Sequence, residues 1–355
     1  MTQDKVERAE LVEKLRPAYL ADIAAGTDRF FEPRREHCPW CESSRLAVRL
    51  RTTDLLQHKP GRFVLDRCTD CGHVFQNPRL NDDGLEFYYR DCYDGLGEGV
   101  MNQLFSAKDD AYISRARALK PFAEPKSWLD VGTGHGHFPH AAKELFPDTT
   151  FDGLDLSEGV ELAHGRGWVG TGYRGPFVEL ADELGESYDA VSMFHYLEHT
   201  PEPRQQLVAA RQVIRTGGHL VIEVPDPESR WGRVLGRWWV PWLQPQHLNF
   251  IPIGNLRVAL GELGFTILLE QHAEAHGGYD LVTSLLLWLH NSTRSGEDVP
   301  WQPEPASPGR QKRRSAAFKA GGPFFLLTVL ADKALKGLLG KRGFANAYRV
   351  VARKD

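Results

Sequence analysis

The clearest chemical pattern lies where an acidic residue precedes three glycines at alternate positions. The segment is Trp128-Leu129-Asp130-Val131-Gly132-Thr133-Gly134-His135-Gly136-His137-Phe138. Its apolar run predicts a buried strand, and its glycines predict a tight turn into a helix, where no Cβ keeps a ligand from the backbone. The spacing differs from that of a pyrophosphate-binding turn, and Asp130 would repel a phosphate. The pattern therefore favours a ligand that carries a positive charge.

A second pattern consists of two cysteine pairs upstream of this turn. Cys38 and Cys41 form one pair, and Cys68 and Cys71 form the other. Two such pairs can place four thiolates tetrahedrally around one zinc ion, leaving no open position, so the sequence predicts structural Zn2+. Disulfides or free thiols are the alternatives. The charged start of the chain does not resemble a signal peptide, so we expect a cytoplasmic protein with reduced cysteines.

The elements that would position these residues alternate between strands and helices. A helix is predicted from Pro203 to Arg215, ending at Gly217-Gly218. Apolar segments predict further strands at Thr150–Asp155, Tyr188–Tyr196, His219–Pro225, Phe265–Glu270 and Tyr348–Arg353. This alternation predicts an α/β fold with a mostly parallel sheet and helices on both faces.

Together these motifs resemble the class I SAM-dependent methyltransferases over roughly residues 110–270 plus the last strand. The resemblance rests on the Asp130 turn, Asp155 at the end of the next strand, and the segments YDAVSMFHYLEH and GGHLVIEVP. It implies a Rossmann-like, seven-stranded sheet and S-adenosyl-L-methionine (SAM) as cofactor. The cofactor-binding residues that it implies are Asp130, Gly132, Thr133, Gly134, Gly136, Asp155, Leu156, Glu179 and Phe194, with Asp182 as the alternative to Glu179 for the acid on the adenine side.

The resemblance also points to the residues that would carry the chemistry. Glu198-His199 lies just beyond the fourth core strand, where the family places groups that face the substrate. A histidine that titrates near neutral pH is a suitable general base, and Glu198 could orient the imidazole. His195 and His247 are the other candidates. The alternative interpretation is that the Glu-His pair only fixes the loop.

A cysteine-pair module before such a core is similar to bacterial zinc-containing methyltransferases of nucleotide-sugar, surface-polysaccharide and natural-product pathways. This similarity implies a small-molecule acceptor that is methylated on oxygen or carbon. The region after residue 270 does not match the C-terminal domain of the sugar C-methyltransferase branch. The alternatives are an RNA methyltransferase and a non-catalytic SAM-binding protein.

The composition and charge of the chain limit the classes of binding partner that we expect. The chain has 355 residues and a net charge of −4, so no global positive field attracts nucleic acid, and we expect none as a partner. The apolar run Phe324–Leu330 is too short to cross a bilayer, so we expect no transmembrane segment. We expect it to belong to an amphipathic helix packed on the sheet, with attachment to a membrane surface as the alternative. A homodimer is a further option.

The sequence divides into six segments. They are a helical lead-in (1–36), a zinc ribbon (37–80), a helical linker (81–120), the SAM-binding core (121–272), a helical insertion or lid (273–344) and the last core strand (345–355). Within the core, four tryptophans lie close together, namely Trp231, Trp238, Trp239 and Trp242, and the spacing from Trp231 to Trp238 and from Trp238 to Trp242 is helical. They could form one face of a helix that packs in the core or covers the acceptor.

Overall fold

The computed structural model describes residues 3–92, 96, 109–275, 277–339 and 343–355. Parts of the predicted 81–120 linker and of the 273–344 insertion therefore lie outside the described residues. The strands are β1 (Leu46–Thr52), β2 (Phe63–Cys68), β3 (Val74–Gln76), β4 (Ser127–Val131), β5 (Thr150–Asp155), β6 (Gly172–Arg174), β7 (Tyr188–Phe194), β8 (Ile214–Pro225), β9 (Asn249–Phe250), β10 (Phe265–Gln271) and β11 (Ala347–Lys354).

The α-helices of the described part are, in chain order, α1 (Gln3–Ala24), α2 (Asp82–Tyr89), α3 (Asp109–Leu119), α4 (His137–Ala142), α5 (Gly159–Gly165), α6 (Phe177–Leu184), α7 (Pro203–Val213), α8 (Trp231–Val234), α9 (Ile253–Glu262), α10 (Asp280–Ser292) and α11 (Pro308–Leu339). Short 3-10 helices lie at Asp28–Phe30, Leu197–His199, Gly236–Trp238, Val240–Trp242 and Arg294–Gly296. Each helix in the described ranges is too short or too polar to cross a bilayer.

The main sheet confirms the predicted Rossmann-like fold. Its seven strands lie in the order β10-β11-β8-β7-β4-β5-β6, and β11 alone runs antiparallel to its neighbours. The central strands are almost continuously buried, as expected for a parallel sheet that is covered on both faces. One apolar core lies between the sheet and α6, α7 and α9, and another lies on the side of α3 and α4. The carboxyl ends of β4, β5 and β7 consequently meet at one edge.

A second, antiparallel sheet has the order β1-β2-β3-β9. Its first three strands come from the cysteine-containing segment, whereas β9 comes from the segment that follows β8. Val74 pairs with Phe250, and Phe75 pairs with Asn249. The small sheet is therefore completed by a strand from the region predicted as core, and the two parts of the chain are directly connected at this strand.

The helix after β7 ends earlier than the sequence predicted. It ends at Val213, and β8 already begins at Ile214, which is aligned with Tyr188 of β7. Gly217 keeps a positive φ of 80° inside the strand. Pairing with β7 thus ends the helix before the two glycines that the sequence predicted as its end.

The tryptophan-rich segment does not form the single helix that its spacing predicted. It forms α8 and two short 3-10 helices. Trp231, Trp239 and Trp242 pack in an apolar cluster with Leu65 and Phe250. These three side chains are buried and pack in this cluster, whereas Trp238 is half-buried.

Helix α11 also differs from its prediction. It packs mainly against α10 and the turn Arg294–Gly296 rather than on the main sheet. Asp332 of α11 accepts hydrogen bonds from the backbone N–H groups of Leu281 and Val282, at 3.1 and 3.0 Å. These bonds satisfy two donors in the first turn of α10, which lack partners within their own helix.

Candidate active site

The glycine turn joins β4 to α4 at the edge where the parallel strands end. Gly132, Gly134 and Gly136 have positive φ angles of 77°, 51° and 78°, which glycine adopts without strain. A Cβ on Gly132 would lie 2.7 Å from Cδ2 of Tyr196, whereas a Cβ on Gly134 would meet nothing within 4 Å. The turn therefore packs tightly on one side and leaves open space beside Gly134.

Asp155, at the end of β5, lies against this turn. Its Oδ2 accepts a hydrogen bond from the N–H of Gly134, and its Oδ1 accepts one from the N–H of Ser157, both at 2.8 Å. The carboxylate retains lone pairs beyond these two bonds, so it can still accept hydroxyl donors of a ligand. A carboxylate beside an open glycine backbone fits the ribose of an adenosyl cofactor.

Asp130 is only 3% exposed. Its Oδ1 accepts a hydrogen bond of 2.6 Å from the Ser192 hydroxyl, and Ser192 is aligned with it on β7. Burial raises the pKa of Asp130 to about 7, against the opposing effects of Ser192 and of the positive charge of Arg115. A buried carboxylate that titrates near neutrality fits a cationic ligand group, which would favour its ionised form.

The other predicted cofactor residues have different environments. Thr133 lies within the glycine turn, where its N–H donates to the carbonyl of Leu154 at 3.1 Å. Leu156 is exposed just after β5, and Phe194 is buried at the end of β7 against Phe138. Glu179 lies in the first turn of α6 and is exposed.

Glu198, His199 and His247 converge beyond β7. One ligand atom from each of the three side chains lies within 4.8 Å of the others. His199 Nδ1 lies 3.1 Å from the carbonyl of Gln246, and His247 Nδ1 lies 2.8 Å from the carbonyl of Pro241. A carbonyl only accepts, so Nδ1 carries the proton in His247 and Nε2 keeps its lone pair. Nδ1 of His199 also faces the Tyr89 hydroxyl at 2.9 Å, a group that can either donate or accept.

The charge states in this cluster differ. Burial lowers the pKa of His199 in spite of nearby Glu198, and burial lowers the pKa of His247 to about 3. Glu198 is buried, and burial raises its pKa. The neighbouring His195, His199 and His247 lower the pKa by more than burial raises it, so the net shift is downward. Its Oε2 is buried without a hydrogen-bond partner among the described residues. A buried carboxylate oxygen beside neutral imidazoles is suited to stabilise a proton arriving on one of them.

His195 has a different role in the geometry. It adopts a positive φ of 52° at the end of β7, an uncommon conformation for a residue with a side chain. Its Nδ1 lies 3.0 Å from Glu198 and its Nε2 lies 3.3 Å from Glu223. Burial lowers its pKa, but the two carboxylates outweigh burial and the pKa is raised. The charged imidazolium is therefore the favoured form.

Sequence reasoning missed the residues that support this cluster. Glu223 accepts hydrogen bonds from Arg115 and from Arg349, at 2.7 and 2.6 Å. Tyr89 of α2 places its hydroxyl 2.9 Å from His199 Nδ1. An acidic residue inside the apolar strand segment Val221–Val224 was a usable sequence signal for Glu223. Tyr89 and Arg115 lie far away in the sequence, and no local pattern connects them with the site.

The four cysteines of the two pairs lie together at the edge of the small sheet. Their sulfur atoms all lie within 4.8 Å of one another, with separations of 3.7 Å for Cys38–Cys71 and 3.5 Å for Cys41–Cys68. Tetrahedral zinc with Zn–S bonds of about 2.3 Å requires sulfur atoms about 3.8 Å apart. The donor set fits zinc, and all four ligand positions would be filled by protein.

Comparison with known proteins identifies the core. Residues 108–270 match the family model described as a methyltransferase domain. The ubiquinone biosynthesis O-methyltransferase of Bordetella avium is 33% identical over 147 residues, which cover 38% of this chain and 60% of that protein. The protein of the same name from Dechloromonas aromatica is 31% identical over 131 residues, covering 34% and 54%. The chain thus spans little more than half the length of these relatives.

Two solved structures are also similar. A SAM-dependent methyltransferase from Archaeoglobus fulgidus has a TM-score of 0.44 and 17% identity, covering 72% of this chain and 99% of that one. A SAM-dependent methyltransferase from Thermotoga maritima has a TM-score of 0.43 and 17% identity, covering 72% and 96%. Residues 108–270 thus match a methyltransferase domain, and they supply most of the seven-stranded Rossmann-like sheet.

Proposed function

We propose that this protein transfers a methyl group from SAM to a small-molecule acceptor, such as a sugar, a nucleotide sugar or a natural-product intermediate. The observation that carries the proposal is the meeting of two features at one sheet edge. The glycine turn with Asp130 and Asp155 lies at the ends of β4 and β5, and Glu198 and His199 follow β7, the strand beside β4. A cofactor and an acceptor can therefore meet between them.

The cofactor supplies a methyl group on a positively charged sulfur. In the proposed reaction, the acceptor oxygen or carbon forms a bond to the methyl carbon while the carbon–sulfur bond breaks. The protein's task is to hold the nucleophile in line and to take up its proton. Gly132, Gly134 and Gly136 would line the methionine end, and Asp155 would accept the ribose hydroxyls.

Among the histidines, His199 is the best candidate for the general base. Its lowered pKa keeps the imidazole neutral at physiological pH, whereas the raised pKa of His195 favours the charged form, which cannot accept a proton. His247 is neutral too, but a pKa of about 3 makes it a weak base. Glu198 would stabilise the imidazolium that forms on His199.

The name of the relatives suggests one further acceptor class. A protein named as an O-methyltransferase of ubiquinone biosynthesis acts on oxygen, so phenols belong in an acceptor panel beside sugars. We also propose that Cys38, Cys41, Cys68 and Cys71 hold a structural Zn2+, because their spacing matches a closed tetrahedral site.

The function is tested by SAM binding and by transfer of a labelled methyl group. We expect calorimetry to show SAM binding to the full chain, and methyl transfer to at least one acceptor from a panel of nucleotide sugars, glycosides and phenols. A chain that binds no SAM contradicts the whole proposal. Binding without transfer to any acceptor would favour the non-catalytic alternative.

His199→Ala tests the base. Turnover should fall about a hundredfold or more while SAM affinity is kept. Because burial lowers the pKa of His199, the turnover of the unmodified protein should decline only as pH falls below that of an ordinary histidine, about 6.5. His164→Ala, at an exposed position of α5, is the control. Unchanged turnover in His199→Ala would exclude this residue as the base.

A further inference from the structure

The outward side of α11 exposes large apolar side chains to solvent. They are Phe324 (63% exposed), Leu326 (61%), Leu327 (61%), Leu330 (54%) and Leu338 (47%). The opposite side of the helix is occupied, because Asp332 and Arg314 make hydrogen bonds to α10. A monomeric protein seldom presents such a series of apolar side chains on one helix without using it.

The charge of α11 is almost entirely positive. Between Pro308 and Leu339 it contains seven basic residues, namely Arg310, Lys312, Arg313, Arg314, Lys319, Lys333 and Lys336. The one acidic residue in this range, Asp332, is buried and hydrogen-bonded to α10. The exposed surface of the helix therefore combines apolar side chains with cations and presents no carboxylate.

Spacing places both kinds of residue on the same side. Lys312, Lys319, Leu326 and Lys333 follow one another at intervals of seven residues, which is close to two helical turns. Leu330 lies one turn beyond Leu326, so it shares that side. Lysine stems can extend along an apolar surface while their charged ends reach anionic groups at its boundary.

We propose that this face of α11 docks on an anionic lipid surface. The helix would lie in the plane of the interface, with its leucines and Phe324 among the acyl chains and its lysines at anionic headgroups. A second copy of the chain fits less well, because a twofold contact between these faces would bring two cationic helices together. The proposal concerns a surface outside the methyl-transfer site and stands whether or not the function proposed above is correct.

Vesicle sedimentation with the full chain tests this surface. We expect binding to phosphatidylcholine vesicles that contain phosphatidylglycerol, and little binding to vesicles of phosphatidylcholine alone. About 1 M salt should weaken binding, because it shortens the Debye length to roughly 3 Å. Absence of binding to the anionic vesicles would overturn the proposal.

Two double variants separate the apolar and the charged contributions. Leu327→Glu/Leu330→Glu and Lys312→Glu/Lys319→Glu should each reduce the vesicle-bound fraction about tenfold or more. Val258→Glu, at an exposed position of α9, is the matched control and should bind as the unmodified protein does. Circular dichroism verifies that each variant folds. Substitutions at exposed positions usually change stability little, so we expect all of them to fold.

Two further outcomes contradict the proposal. Binding that neither double variant reduces would mean that another surface contacts the lipid. Failure to bind vesicles, combined with a dimer that Leu327→Glu/Leu330→Glu converts to a monomer in light scattering, would identify a second copy of the chain as the occupant of this face.

Discussion

At the scale of single residues, the chemistry of the site depends on carboxylates whose surroundings differ. Asp155 is held by two backbone N–H groups, whereas Asp130 is buried beside Ser192. Burial raises the pKa of Asp130 to about 7, so this carboxyl group is partly protonated at neutral pH. An ionised carboxylate attracts the cationic amino group of SAM, and a protonated one does not.

SAM affinity should therefore depend on pH. The affinity is expected to rise as pH increases through about 7, because Asp130 then ionises. Asp130→Asn should bind SAM about tenfold or more weakly and lose this pH dependence. Calorimetric titrations from pH 6 to about 8.5 measure both effects, with Asp148→Asn at an exposed position as the control. A variant that keeps the wild-type pH profile would assign the titration to another group.

The glycine turn illustrates how much of the site could be predicted from sequence. Asp130 and the three glycines are consecutive, so their geometry follows from local rules for a strand, a turn and a helix. Tyr89 and Arg115 are different, because they reach the site from α2 and α3 through tertiary packing. No local pattern identifies a side chain whose role depends on which helix covers which strand.

At the scale of elements, three charged residues join α3, β8 and β11 beneath the site. Arg115 and Arg349 both bind Glu223, and all three side chains are buried. Burial raises the pKa of Glu223, but the two guanidinium groups and His195 lower it well below its ordinary value. Removing the carboxylate would leave two buried cations without their anion.

Glu223→Gln should therefore lower the free energy of unfolding by about 3–5 kcal/mol. The control is Arg257→Met, which removes an exposed ion pair with Glu270 and should cost about 0–1 kcal/mol. Urea unfolding followed by circular dichroism compares the two. Equal losses in both variants would contradict the importance assigned to the buried network.

The cysteine module contacts the site through β9. Asn249 of β9 bonds His73 of the module at 3.0 Å and the carbonyl of Thr200 at 2.7 Å, and the N–H of Leu248 donates to the carbonyl of Glu198. The module thus supports the loop that carries Glu198 and His199. The glycine turn lies on other strands and does not depend on these bonds.

Loss of the proposed zinc should consequently affect the two halves of the site differently. Cys41→Ser, at the exposed thiol of the four, should remove the metal, lower the melting temperature and reduce methyl transfer, while SAM affinity changes less than about threefold. Metal analysis and calorimetry test this, and Cys92→Ala should retain the zinc content of the unmodified protein. Full zinc content in Cys41→Ser would exclude this cysteine as a ligand.

Element prediction succeeded where the sheet itself determines the pattern and failed in the tryptophan-rich segment. β4 and β7 are buried along most of their length, so their sequences are largely apolar. In the segment from Trp231 to Trp242, Gly236 and Pro241 interrupt the helix, and the small sheet supplies the surface that buries the rings. Helical spacing alone gives no information about such a surface.

At the scale of the whole molecule, the C-terminal helices are attached to the N-terminal half of the chain. His58 Nδ1 lies 2.7 Å from Glu297, and His290 Nε2 donates to the carbonyl of Leu56 at 2.8 Å. Asn291 donates to the carbonyl of Leu55 at 2.8 Å. These contacts join the loop after β1 to α10 and the turn that follows it, a pairing that no sequence pattern indicated.

Glu297 is the charged centre of this attachment. Burial raises the pKa of Glu297. Its hydrogen bond to His58 and the charges of His290 and Arg314 lower the pKa by more, so the net shift is downward. A carboxyl group with a depressed pKa stabilises the folded state above its unfolded pKa of about 4.3, and the stabilisation is lost as pH falls through the folded value. At neutral pH the full contribution is present.

Glu297→Gln should loosen the C-terminal helices without disturbing the sheet. At pH 7 we expect faster hydrogen exchange in α10 and α11, corresponding to a local opening free energy lower by about 1–3 kcal/mol, and unchanged exchange in β4, β7 and β8. The difference from the unmodified protein should narrow as pH falls below the unfolded pKa of about 4.3, and it should vanish below the lower folded pKa, where Glu297 is neutral in both states. Glu304→Gln, at an exposed position, should exchange normally. Uniform acceleration across the sheet would instead show that the attachment stabilises the whole fold and not the C-terminal helices alone.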